Sequence, residues 1–458
     1  MAESDDIVIT AERRTQSLQS VPIAATVLNA DLIAKHGIDN IADVQFASPS
    51  LAINTFNRST FINIRGVGLA QSTPTDVPGV ATYLDGVLMP HEQMIAQSFY
   101  DLNSIEVLRG PQGTLTGQNS TGGAVYITTP APQFGVYSGY LDQTISNFDG
   151  SKTIGALNIP LGDKAAVRIA GVYDQRDSFT TNIGNPKVQP GNVNLFGFRV
   201  AATVQPIATL KFNLRYERFL NDTFNNAIKN RNDAVTSDPF TIEEDANGYF
   251  KQKGYRTSAE ILYDVTSGVR LRWLTSYERA FTRDLSDADR TATAVPGVPT
   301  ASSGGRVTFA NTVFNTLINE VNLISTGDGP VDWVVGAFNQ QEEVPVTLAR
   351  DYSNSVNFTK LPFLAGGANN YAETKAANDS ASVFGQLGWQ FAPQWKATIG
   401  ARYSHDKQVY EQQFWNPGGG GSTVGTEKSN ALTGRLALNW TPQEDLLYYA
   451  SIAKGYKA

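Results

Sequence analysis

From about residue 133 onward, apolar side chains recur at every second position, and that period leaves little choice of fold. Trp395, Ala397, Ile399, Ala401 and Tyr403 alternate with Lys396, Thr398, Gly400, Arg402 and Ser404. Leu210, Phe212, Leu214 and Tyr216 alternate with Lys211, Asn213, Arg215 and Glu217. The same pattern returns in Val269, Leu271, Trp273 and Tyr277, and in Leu432, Leu436, Leu438 and Trp440. A period of two with one apolar face describes a half-buried strand. The connections sharpen the reading. Short turns fall at about 161–164, 205–208, 265–268, 325–330, 392–394 and 441–445, with long polar stretches between them at about 174–192, 221–250, 284–306, 341–377 and 406–427. Tight turns at one end and long loops at the other are the pattern of a transmembrane β-barrel. Trp273, Trp389, Trp395 and Trp440 fall near strand ends, where a lipid interface holds aromatic rings. A large soluble antiparallel sheet protein is the competing architecture.

Composition removes other classes. The 36 Lys and Arg against 43 Asp and Glu give a net charge of −7, without the basic balance of a nucleic-acid binder. With no cysteine there is no disulfide scaffold, thiolate zinc site or thiol nucleophile, and three histidines cannot build a His-rich metal centre. No apolar run approaches the ~18 residues of a membrane-spanning helix. No cofactor is implied. Ser404-His405-Asp406 has the letters of a triad, but neighbours on one strand point to opposite faces. No nucleophile elbow, zinc-protease helix or phosphate loop is present. Glu243-Glu244 and Glu342-Glu343 read as solvated loop charge. The first six residues are acidic and carry no secretory signal, so the numbering is expected to start at or near a mature end.

The first ~130 residues are different, with a mixed pattern at an ordinary domain size. Residues 22–28 read as a strand. Asn29-Ala30-Asp31 caps a short helix through Lys35 that Gly37 closes, and His36 sits at its end. Asp39 or Asn40 caps a second helix to about Phe46, and short strands follow at 61–65, 81–84, 105–108 and 124–128.

The densest motif is SIEVLRGPQGTLTGQNSTGGAVYITTP, residues 104–130, with Gly110, Gly113, Gly117, Gly122 and Gly123. Together with INIRGVG at 62–68, which holds Gly66, and VATYLDGVLM at 80–89, it resembles the plug domain of TonB-dependent outer-membrane receptors. DDIVITAERR at 5–14 resembles that family's TonB box. Thr116 and Gln118 depart from the tyrosine and arginine that the family often has there. The resemblance implies an α+β plug followed by an antiparallel transmembrane β-barrel: residues 1–15 as box and flexible N-terminus, 16–132 as plug, and 133–458 as barrel. It implies the outer membrane of a Gram-negative bacterium as location. The partners it implies are outer-membrane lipid, a small nutrient and TonB with its inner-membrane complex, and no nucleic acid. The activity is energy-coupled import of a scarce nutrient. A ferric siderophore is the first expectation; oligosaccharides, vitamins or aromatic compounds are the alternatives, as is a truncated barrel that transports nothing. A passive porin or an adhesin would need neither box nor plug.

Residue roles follow from the same resemblance. Asp6, Ile7, Val8, Ile9, Thr10 and Ala11 form the box, a short β-branched segment able to add to a partner's sheet edge. Arg65 and Arg109 are expected to face barrel glutamates and hold the plug. Gln71, Ser72, Thr75, His91, Glu92 and Gln93, in apical plug loops at 66–79 and 89–99, are expected to meet ligand. About 13 strands are countable from 136 on. Twelve strands enclose a backbone diameter of about 24 Å and 22 strands about 44 Å, whereas a ~130-residue plug measures about 36 Å across. The chain is therefore expected to be a fragment of a barrel of about 22 strands, or one part of a split receptor.

Overall fold

The computed structural model describes residues 8–9, 16–17, 21–56, 59–69, 78–91, 94–115, 120–230, 236–288, 290, 307–327, 329–351, 370–416, 419–443 and 446–457. In the N-terminal unit, β1 (Val8–Ile9) pairs antiparallel with β2 (Gln16–Ser17). Next come β3 (Ala25–Asn29), α1 (Ala30–Lys35), α2 (Val44–Ala47), β4 (Leu51–Phe56), β5 (Ser59–Ile64), β6 (Val80–Leu84), β7 (Val87–Met89), β8 (Ser104–Arg109) and β9 (Gly123–Thr128). The predicted caps form: the Asn29 side chain accepts from the Leu32 N–H, and Asn40 makes a capping box with Asp43. β3, β8, β9, β6 and β7 lie in that order in one sheet, with β6 and β9 parallel. One face buries Ile62, Ile64, Val80, Ile105, Val107 and Val125. The other packs Tyr83 on Tyr126, stacked at 4.7 Å.

The second unit is one antiparallel sheet of 13 strands, in agreement with the count from sequence. It comprises β10 (Ser138–Ser146), β11 (Gly150–Pro160), β12 (Ala165–Arg176), β14 (Val193–Ile207), β15 (Leu210–Thr223), β17 (Tyr249–Thr266), β18 (Val269–Asp287), β19 (Val307–Ser325), β20 (Val331–Asp351), β21 (Asn370–Ala392), β22 (Trp395–Asn416), β23 (Gly419–Gln443) and β24 (Leu446–Lys454). Two-residue strands β13 (Thr181–Asn182) and β16 (Thr241–Ile242) pair in parallel and tie two outer loops together. The sheet wraps the N-terminal unit. Phe219, Ala280, Phe314, Val344 and Ala376 enter one plug core, and Leu274, Ile318, Val334, Phe338 and Phe384 enter the other.

The outward face carries two aromatic belts. Near the short turns, Trp389, Phe391, Trp395, Trp440 and Tyr448 form a chain with ring centroids 5.6, 6.5, 5.7 and 5.5 Å apart. Higher up, Phe196, Phe198, Tyr216, Tyr255 and Tyr277 form another at 6.1, 5.9, 6.4 and 6.2 Å. The two belts lie toward opposite ends of the outward apolar face, the arrangement of the aromatic girdles of an outer-membrane barrel. Between them lie exposed Val383, Leu387, Ile399, Tyr403, Leu432 and Leu436.

Two expected loops are corrected. Much of 341–377 and 406–427 is strand, because β20 through β23 continue past the upper belt and β22 and β23 pair up to Asn416 opposite Gly419. In β20 and β21 the outward row turns polar at Glu343, Lys375 and Asp379 while Val344 and Ala376 still face the plug, and in β22 and β23 both rows become largely exposed, so the alternation is weak and each segment reads as a loop although its ladder is intact.

The glycine motif has a checkable core. Gly123 has φ of +147°, and a Cβ there would overlap the Leu108 carbonyl oxygen. Gly110 has φ of +83° but open space around it. Gly110→Ala should cost about 1–2 kcal/mol for backbone strain alone, and Gly123→Ala distinctly more, since β8 and β9 must also separate. Hydrogen exchange of the 104–128 segment in the two variants measures the difference.

Candidate functional site

The contacts between plug and wall form the chemically distinctive region of the molecule. Asp85 turns the chain between β6 and β7 with φ of +50°, and Asp101 stands before β8 with φ of +48°. A residue in this left-handed region is uncommon and needs its surroundings to hold it there. Asp85 accepts from the Thr129 N–H at 2.8 Å and the Thr129 hydroxyl at 2.9 Å, and its Oδ2 lies 3.2 Å from Arg215 Nε. Asp101 takes a two-pronged guanidinium from Arg168, at 2.9 Å and 2.5 Å, plus the Tyr140 hydroxyl at 3.1 Å.

Charge then alternates along the wall. Arg199, on β14, donates to the carbonyls of Tyr100 at 2.9 Å and Asp101 at 3.2 Å, and lies over the Tyr100 ring. Its other amino group is 3.5 Å from Glu217 on β15. Glu217 also accepts from Ser98 at 2.7 Å, Tyr100 at 3.2 Å and Arg256 at 3.2 Å. Arg256, on β17, closes on Glu278 of β18. Arg199, Glu217, Arg256 and Glu278 are all buried. Burial, then the Glu217 carboxylate, hold the Tyr100 hydroxyl well above the usual phenol range, so it stays a donor. A second chain runs from Glu260 through Arg272 at 2.6 Å to Glu320 at 2.9 Å, beneath the plug turn at Gly86.

Nearer the outer end, His91 Nε2 lies 2.9 Å from Glu342 Oε1 on β20, and the imidazole packs on Phe314 at 4.4 Å. Glu342 also accepts from Thr316 at 3.1 Å and Asn378 at 2.8 Å. Burial alone would push the imidazole down; the charge and hydrogen bond of Glu342 outweigh it and hold His91 above its ordinary range. At the other edge, Arg435 donates to the Pro22 carbonyl at 2.7 Å and Thr433 to that of Gly113 at 3.2 Å.

Arg109 donates to Ser50 at 2.7 Å and to Thr26, both inside the plug, and Arg65 is exposed in a left-handed turn with Gly66. Neither arginine meets a described barrel carboxylate. The described ion pairs across the interface instead join plug acids, and His91, to groups on the wall. Arg168, Arg199, Glu217 and Arg256 were missed from sequence because each occupies the polar position of an alternating strand. Of the other expected residues, Val8 and Ile9 lie in β1, and Gly110, Gly113, Gly122 and Gly123 lie in or beside β8 and β9. Asp6, Ile7, Thr10, Ala11, Gln71, Ser72, Thr75, Glu92, Gln93 and Gly117 lie outside the described residues. Ser404 and Asp406 are buried on the inner face, while His405 is exposed outward, bonded to Asn430.

Comparison with known proteins bears on this architecture. The family model for the "TonB dependent receptor-like, beta-barrel" matches residues 196–458, and that for the "TonB-dependent Receptor Plug Domain" matches 17–124. The chain belongs to the TonB-dependent receptor family. The pesticin receptor of Yersinia pestis is 25% identical to this receptor chain over 480 residues, covering 99% of the chain and 64% of the relative. A pesticin receptor of Yersinia enterocolitica is 26% identical over 481 residues, with 99% and 64% covered. The chain thus spans about two thirds of the length of these curated relatives. Among solved structures, the ferric yersiniabactin uptake receptor of Yersinia pestis superposes with a TM-score of 0.82 at 20% identity, over 95% of this chain and 65% of that one. The siderophore receptor of Acinetobacter baumannii superposes at 0.76 with 15% identity, over 97% and 66%.

Two predictions follow from the interface. Glu217→Ala leaves buried guanidinium groups short of their shared carboxylate and should weaken plug seating by about 3–5 kcal/mol; Arg270→Ala, which removes a partly exposed pair with Asp264, should cost less than about 1 kcal/mol. Protease protection of the plug reports both. The His91–Glu342 contact depends on a raised imidazole pKa, so its stabilisation is complete below about pH 6.5 and fades as pH rises through the raised value. Exchange protection of residues 87–91 should fall over that range, and His91→Asn should abolish the dependence.

Proposed function

We propose that this receptor chain serves energy-coupled import of a ferric siderophore across the outer membrane of a Gram-negative bacterium. The observation that carries the reading is a folded plug seated inside the barrel wall and fixed there through charged and polar contacts. Such contacts can be exchanged for water when the plug shifts, whereas a wholly apolar seam could not be opened at small cost. A passive porin has no use for a plug held this way. The siderophore reading is supported by the relatives' own names, among them the ferric yersiniabactin uptake receptor and the siderophore receptor.

In this reading, ligand binds at the long-loop end, above His91. The segment 6–11 adds as a strand to TonB, and a pull transmitted through the N-terminus loosens the plug. Asp6, Ile7, Val8, Ile9, Thr10 and Ala11 are the coupling residues, and Gln71, Ser72, Thr75, Glu92 and Gln93 contact ligand together with His91. Arg65 and Arg109 brace the plug; for Arg109, the bonds to Ser50 and Thr26 support that role from within the plug.

Removing residues 6–11 should abolish accumulation of iron from the chelate by cells while surface binding of the same chelate persists. Unchanged accumulation would refute coupled import, and loss of both would point to a failure of assembly.

A further inference from the structure

Two outer loops meet at a pair of asparagines that neither plug docking nor import uses. β13 and β16 hold the loops together, and the Ile183 N–H donates to the Ile242 carbonyl at 2.9 Å. Buried Asn182 clamps the junction. Its amide reaches the carbonyls of Asn185 at 3.2 Å, Val188 at 3.0 Å and Glu244 at 2.9 Å. The clamp sets Asn185 of one loop against Asn247 of the other, 3.1 Å away.

The surrounding bonds fix which way both carboxamides point. The Lys187 N–H donates to Asn185 Oδ1 at 3.3 Å, and Asn185 Nδ2 donates to the Asp245 carbonyl at 3.4 Å, which can only accept. The Asn247 atom that meets Asn185 Nδ2 is therefore its carbonyl oxygen. Asn247 is exposed to water, and it precedes Gly248 in the only Asn-Gly step of the sequence. Glycine has no side chain to shield its own nitrogen, and among the described residues no hydrogen bond occupies the Gly248 N–H. An electrophilic carbon, a donor on its oxygen and an adjacent unoccupied amide nitrogen thus lie together within reach of water.

We propose that Asn247 is a self-modifying site, where a slow intramolecular deamidation is promoted by Asn185 as a positioning residue. The Gly248 nitrogen bonds to Asn247 Cγ and gives up its proton. The Cγ–Nδ2 bond breaks, and the amide takes that proton through solvent and leaves as ammonia. Negative charge that builds on Oδ1 during the step rests on the Asn185 donor. The cyclic imide then takes up one water and reopens as aspartate or isoaspartate. The product adds a carboxylate beside Glu244 and Asp245, where Arg290 is already paired with Glu244 at 2.7 Å and the Asp245 N–H already donates to Asp287 at 3.0 Å. Like charge then loosens the loop junction in one direction only. The chemistry needs the loop contact and water, and it asks nothing of barrel closure or ligand import.

The test keeps the full chain at neutral pH in detergent micelles and, in parallel, in denaturant. The peptide holding Asn247 is followed by mass spectrometry in heavy-oxygen water, and isoaspartate by enzymatic methylation. In micelles, Asn185→Ala should slow product formation about fivefold, the worth of one hydrogen bond. Asn185→Asp, close in shape but unable to donate, should slow it at least as much. In denaturant all three chains should share one rate. Equal rates for wild type and Asn185→Ala in micelles overturn the proposal, since the contact then either fails to form or fails to act. A faster rate in Asn185→Ala overturns it as well, because Asn185 would then restrain the carboxamide. Wild-type speed in Asn185→Asp overturns the donor role. Asn247→Asp, which installs the product charge directly, should lower hydrogen-exchange protection of the Thr181 and Ile183 amides; unchanged protection refutes the loosening.

Discussion

One carboxylate ties plug to wall. Glu217 receives a hydroxyl from Ser98, a phenol from Tyr100 and guanidinium groups from β14 and β17, all out of water. A buried charge in that position is tolerable only with every partner in place. The strands on either side must hold their register, and the plug must present the 98–101 segment at one height. The interface then has one low-energy arrangement, because sliding the plug by a single strand residue would separate several pairs at once.

The apolar contacts complement this without duplicating it. Phe219, Phe314, Phe338 and Phe384 supply contact area to the two plug cores, and apolar area is non-directional. It favours a seated plug and says little about where the plug sits. The charge pairs and the His91–Glu342 contact supply position. The apolar term thus holds the plug in, and the polar pairs fix its height and rotation.

The β unit was legible because half-buried strands must alternate. The wall from β14 to β19 follows the pattern closely, and the turns around Lys164, Ala208, Gly268 and Gln394 fall where short polar breaks interrupt it. The upper halves of β20 to β23 were not legible, because their outward row is polar, as at Glu343, Lys375, Asp379 and Glu411, and the few inward apolar residues, Val344 and Ala376, are too sparse to set a period. The interface charges were hidden for a related reason. Arg199, Glu217 and Arg256 look like solvent-facing residues of any half-buried sheet, and only the presence of a plug on that side buries them. The plug's glycines and caps were readable because each answers a local backbone demand, as the Gly123 approach to Leu108 does. The pairing of Asp85 and Asp101 with wall arginines is a long-range fact with no local signature.

The strands of the wall differ greatly in length. β10, β11 and β12 have 9, 11 and 12 residues, whereas β21, β22 and β23 have 23, 22 and 25. At about 2.5 Å of height per residue, one side rises roughly 30 Å above the other. The rim is therefore a slanted collar. The plug is therefore walled far higher beside β21 to β23 than beside β10 to β12, an asymmetry set by backbone length before any side chain takes part.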